Sequence, residues 1–217
     1  MKTKLNILCV LVLLALSYSI VTTGYYFLLG AQAGIASVDS QQEMERMSNL
    51  KYISVIPDNL TAEEKCLFPD SILNAKSGTY VPVAYSNLLV SVHAPQSVAS
   101  ALVVGLSGFV LVGLGIWAFV LFIRLIVDVN RSNIFNWKNV RRLRKLGIAL
   151  LLLFGLSLLS DYLQFCNVKE VFAIQHYSLD MSEMVDITNL ILGLSVLIVG
   201  EVFAVGLRMQ EEQDLTI

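Results

Sequence analysis

The chain has 217 residues, of which 56% are hydrophobic and only 15% charged, with a formal net charge of -2. With a mean hydropathy of +0.69, that balance excludes an ordinary water-soluble globular domain and makes lipid the expected solvent for much of the chain. The bulk charge says little about partners, because cations and anions are segregated along the sequence.

A helix needs roughly 20 apolar residues to cross a hydrocarbon core about 30 Å thick. Four runs meet that length: 5–29, 98–127, 146–165 and 187–207. Lys2 and Lys4 precede the first run, and Ala31-Gln32-Ala33 resembles a small-residue cleavage site. The apolar stretch continues through Tyr25, Tyr26 and Phe27, past the usual length of a signal core, so an uncleaved anchor is expected.

Residues 31–97 form the one segment large enough to fold outside the membrane. Residues 40–49 suit a helix, and "DNLTAEEKCLFPD" carries a second helix start, with Asn59 or Thr61 as cap. "KYISVIP", "TYVPVAY" and "NLLVSVHAP" are rich in Val, Ile and Tyr and read as strands. On the second run, Ser97, Ala101, Gly105, Gly108 and Gly115 make a small-residue face suited to helix packing or to a homo-oligomer. Gly200 and Ala204 repeat the theme on the fourth run.

Between runs two and three, "NWKNVRRLRKLG" holds Lys138, Arg141, Arg142, Arg144 and Lys145. Cationic connections stay cytoplasmic, and anionic headgroups are their expected lipid partners. Val140, Leu143 and Leu146 recur every three residues, so a helix at the lipid surface is expected before the chain turns into run three. A direct nucleic-acid grip would need a folded reader or aromatic platforms, and only Phe135 and Trp137 are near. The first connection has four cations against seven carboxylates, and the third has Lys169 against Glu170, Asp180, Glu183 and Asp186. Both are expected outside, with both termini cytoplasmic.

The expected architecture is therefore an all-α membrane protein with four transmembrane helices and a small mixed α/β extracytoplasmic cap between helices one and two. Its segments are helix one (1–30), cap (31–97), helix two (98–127), basic connection (128–145), helix three (146–165), outer loop (166–186), helix four (187–207) and cytoplasmic tail (208–217).

Chemistry-bearing groups are sparse. Cys66 and Cys166 fall on the same, oxidising side and can either pair or remain two separate thiols. Neither the two histidines, His93 and His176, nor any motif for zinc, phosphate or thiol chemistry points to a cofactor, a metal or an enzyme. Within the spans, Glu201 and Arg124 reach similar depth near the cytoplasmic end, and an ion pair would relieve both. The remaining options are pairing of Glu201 with Arg208, hydration from the cytoplasm, or an intramembrane functional carboxylate.

The stretches "NRSNIFNWKNVRRLRKLG" and "GEVFAVGLRMQEEQDLTI" resemble a bacterial family of small four-span membrane proteins catalogued as domain of unknown function twenty-nine seventy-five. Asn133, Phe135, Asn139, Arg142, Leu143, Arg144 and Gly147 match its first pattern, with Ile134 where Pro is usual. Phe203, Gly206, Glu211, Glu212, Leu215, Thr216 and Ile217 match the closing pattern. The resemblance implies a bacterial cytoplasmic (inner) membrane location and no established activity. Many such proteins are encoded beside a helix-turn-helix regulator, which implies a nonenzymatic envelope sensor or regulatory partner working through these two motifs. In that reading the acidic tail pairs with Arg141, Arg142 or Arg144. A transport or channel-type component using Glu201 is the alternative.

Overall fold

The computed structural model of the chain describes residues 2–37, 42, 45, 46, 49–58, 68–94, 97–130 and 136–214. Helices α1 (Lys2–Ser37), α2 (Val98–Asn130), α3 (Trp137–Lys169) and α4 (Thr188–Asp214) are each long and apolar enough to span a membrane. Backbone polar groups have no water to bond to in hydrocarbon, so such runs must close their own hydrogen bonds as helices. Exposed side chains such as Phe109 (81% accessible) and Phe27 (74%) would form a large apolar surface in water, and in lipid they meet their own kind.

The helix ends have side-chain caps. The Ser97 hydroxyl accepts from the Ser100 N–H at 3.1 Å before α2, and the Asn136 side-chain oxygen accepts from the Lys138 N–H at 3.0 Å before α3. The Asp186 carboxylate accepts from the Thr188 N–H at 2.9 Å before α4. Hydrogen bonds from Thr188 hold the Asp186 carboxyl below its ordinary value.

The basic segment departs from expectation. Instead of lying at the surface and turning, it forms the first turns of the uninterrupted helix α3. Arg, Leu and Lys favour helix, and no Pro or Gly breaks the run from Trp137 to Leu146.

By Cα packing the chain divides into two units. The helical unit comprises Met1–Gln32, Gly105–Leu158 and Asp186–Ile217. Its core is built from α2, α3 and α4: Ala118 and Leu121 meet Leu146 and Ala149, while Val140 meets Ala204 and Leu207. None of the apolar window of α1, Val10–Gln32, is buried. The packed core among the described residues is thus built from three of the four long helices.

The sheet unit comprises Ala33–Val104 and Leu159–Val185. Strands β1 (Leu50–Pro57), β2 (Asp70–Asn74), β3 (Thr79–Val83) and β4 (Asn87–Ser91) come from the first connection, and β5 (Tyr177–Asp180) comes from the third. β1 is central, antiparallel to β4 through Ile53 opposite Leu88 and to β5 through Val55 opposite Leu179. The expected cap is therefore stitched from two connections, which places both on the same side of any membrane the helices cross. Ile53, Val55, Val168 and Tyr177 form its core. The Tyr177 oxygen accepts from the Tyr85 N–H at 3.3 Å, and burial pushes its phenol above the ordinary value.

β2 and β3 form a separate hairpin, closed at Gly78, whose φ of +67° suits a residue without a Cβ. Pro82 lies in this exposed pair, where a missing N–H is tolerated. Of the expected cap helices, residues 59–67 lie outside the described residues, as do most of residues 40–49.

Candidate functional site

The family-like residues of α3 fall at 139, 142, 143, 144 and 147, a spacing that lets one helix address α2 and α4 together. Asn139 is 1% accessible, and its side-chain oxygen accepts from Arg142 at 3.2 Å. Arg142 also donates to the Asp128 carboxylate on α2, forming an ion pair with both side chains about three-quarters covered. Leu143 is buried against Gly200 of α4, where an added Cβ would sit 3.3 Å from the Leu143 Cβ.

Arg144 faces α4. Its Nε donates to Glu201 Oε1 at 2.8 Å and its Nη2 donates to Oε2 at 3.0 Å. The partner of Glu201 is therefore Arg144 and not the expected Arg124. Equal depth places two groups on one level, but the direction in which each projects from its helix decides who meets. Arg144 lies three residues before Gly147, on the side of α3 that touches α4.

Among the described glycines, Gly147 makes the closest approach to a neighbouring helix. A Cβ there would lie 2.6 Å from Leu197 Cγ and 2.9 Å from the Gly193 carbonyl oxygen, so the two backbones run in contact. Gly200 and Ala204, expected to pack, do so. Gly105, Gly108 and Gly115 of α2 face open space instead.

The tail reaches α3 where the Trp137 indole N–H donates to Glu211 Oε1 at 2.7 Å. Of the three arginines expected to take the tail, Arg142 is engaged by Asp128 and Arg144 by Glu201, while Arg141 faces the cleft toward α2. Asn133, Phe135, Leu215, Thr216 and Ile217 lie outside the described residues, and Glu212 lies in the last turns of α4. Cys166 on α3 carries a free thiol, while Cys66 lies outside the described residues.

The sequence singled out the basic segment but not its convergence with Arg124. Arg124 from α2 and Lys138, Arg141, Arg142 and Lys145 from α3 line a cleft of about 260 Å³ over Leu121. The sequence signal was the recurrence of cations at 138, 141 and 145, which fixes one face of the helix. Among the described residues no three His, Cys, Asp or Glu side chains gather as a metal site would require.

Four membrane-length helices, an open sheet built from two connections and a cationic end tied by ion pairs define a multi-pass membrane protein. A family model described as "Protein of unknown function (DUF2975)" matches residues 36–217, and the chain belongs to that family. The match covers the sheet as well as α2, α3 and α4, while nearly all of α1 precedes it. No curated protein and no solved structure matches the chain.

Proposed function

We propose that the chain is a nonenzymatic regulatory partner in the bacterial cytoplasmic membrane, with the sheet unit outside and the basic end of α3 and the tail of α4 inside. The observation that carries this reading is the bond between Trp137 and Glu211. It joins the start of α3 to the acidic tail at the exposed surface, and breaking it would release both a basic helix start and that tail. The bonds of Asn139, Arg142 and Arg144 hold the helix ends in place around it. A soluble helix-turn-helix regulator is the partner this reading favours.

The transport alternative gains no support among the described residues. Glu201 is held in a bidentate pair with Arg144, and the hollow beside it is lined by Leu197, Ile198, Val202 and Val205 of the same helix.

The test is removal of residues 211–217 in the native host. The expected result is changed output from the neighbouring regulator with membrane insertion intact, and unchanged output with Glu201→Gln. Unaltered output after tail removal overturns the proposal, and solute flux abolished by Glu201→Gln in vesicles would favour transport.

A further inference from the structure

We infer that the cleft between α2 and α3 is a binding site for one anionic phospholipid, with its phosphate held by Arg124, Lys138, Arg141 and Lys145. The inference stands apart from the regulatory reading, since it needs neither the tail nor a protein partner.

Charge bookkeeping makes the first step. Arg142 is neutralised by Asp128, and Arg144, on the face toward α4, is neutralised by Glu201. Among the described residues no hydrogen bond or ion pair is recorded for the side chains of Arg124, Lys138, Arg141 or Lys145. Yet these four line one cleft with Leu121 as its apolar floor. Like charges converging at a low-dielectric boundary repel, and an anion between them relieves all four. Guanidinium groups on both walls match the oxygens of a phosphate.

The second step separates a lipid from a free anion. On α3 the exposed stripe that begins with Lys138, Arg141 and Lys145 continues with Ile148 (50% accessible) and Leu152 (49%). Below Arg124, α2 exposes Val120 (38%) and Trp117 (42%). Lys145 and Ile148 are separated by about 4.5 Å along the helix. Cations thus give way to apolar side chains within about one turn on both walls, which matches a molecule whose phosphate is joined to acyl chains. A soluble phosphate would use the upper half only.

The full chain in nonionic detergent, titrated with phosphatidylglycerol and followed by native mass spectrometry, tests the site. Phosphatidylcholine serves as the zwitterionic comparison and glycerol phosphate as the chain-free anion. Retained phosphatidylglycerol, with little of the other two, is expected. Replacing Arg124, Lys138, Arg141 and Lys145 together by Gln should weaken binding by about a hundredfold, and Lys145→Gln alone by about fivefold, the scale of one basic side chain at an anionic surface. The single exposed substitution keeps the test open should the fourfold variant not fold. Arg208→Gln, which removes a cation outside the cleft, should leave binding within twofold, on the order expected for a charge beyond the contact. Ile148→Asn with Leu152→Asn should weaken phosphatidylglycerol only. Undiminished binding by Lys145→Gln, equal loss in Arg208→Gln, or equal binding of glycerol phosphate would each overturn the inference.

Discussion

The two units of the molecule hold together by different means. In the sheet unit, Ile53 (3% accessible), Val55 (1%), Val168 (3%) and Tyr177 (5%) form an apolar core. An open sheet cannot sit in hydrocarbon, so this unit lies in water, where burial of apolar surface is favourable in itself. In the helical unit that force is absent, because lipid chains are as apolar as Leu. Contact there comes from small residues and polar clasps: Gly147 against Gly193, Leu143 against Gly200, Arg142 with Asp128 and Arg144 with Glu201. The difference teaches that a residue's worth depends on its solvent. A large buried side chain matters most in the sheet, and a missing side chain matters most between the helices.

Truncating the sheet core gives the largest expected effect. Ile53→Ala removes a side chain from the centre of β1 and should cost about 2 to 5 kcal/mol. Hydrogen exchange should accelerate in β1, β4 and β5 while α3 and α4 keep their protection; equal loss in both would mean that one core serves the whole chain.

Adding one methyl group between the helices comes next. Gly147→Ala drives a Cβ to 2.6 Å from Leu197 and 2.9 Å from a backbone carbonyl, and the overpacking should cost about 1 to 3 kcal/mol. The lipid-embedded unit should melt earlier, read by the thermal transition in detergent. Gly113→Ala, at a glycine with open space around it, should leave that transition unmoved. A matching loss there would show that α2 has a partner, as a homo-oligomer through its small-residue face would require.

Why some of this was legible in the sequence, and some not, follows from the same contrast. Length and hydropathy suffice for the four spans, since a bilayer imposes both on any helix that crosses it. β1, β3 and β4 were legible from their Val, Ile and Tyr content. β5 was not, being four residues long and half polar; what makes it a strand is Leu179 and Tyr177 pairing with the far side of β1. β2 escaped because it pairs at the surface, where no alternation of burial is imposed. The pattern around Arg142 and Gly147 stood out as a motif, but its use did not. Whether a glycine is packed depends on what another helix presents at the same level, and Gly108 and Gly147 look alike in a single sequence. The direction of Arg144 toward α4 could have been inferred from its three-residue spacing to Gly147, and with it the true partner of Glu201.

The smallest effect sharpens the comparison at its polar edge. In the sheet unit the Asp180 carboxylate accepts from the Ser182 hydroxyl and from the N–H groups of Ser182 and Met181, and these hold its carboxyl below the ordinary 3.8 against a weaker opposing effect of burial. A carboxyl depressed by folding adds stability that is present above the unfolded value and lost as pH falls through the folded one. Because Asp180 is only partly covered, solvent screening should keep the contribution to about a few tenths of a kcal/mol. The parent should therefore melt slightly above Asp180→Asn at pH 6, and the gap should narrow as pH falls below the ordinary carboxyl value of 3.8. Asp186, depressed in the same direction by Thr188, is common to both proteins and cancels in the difference. A gap that persists unchanged at low pH would mean that Asp180 stabilises the end of β5 by packing and not by charge.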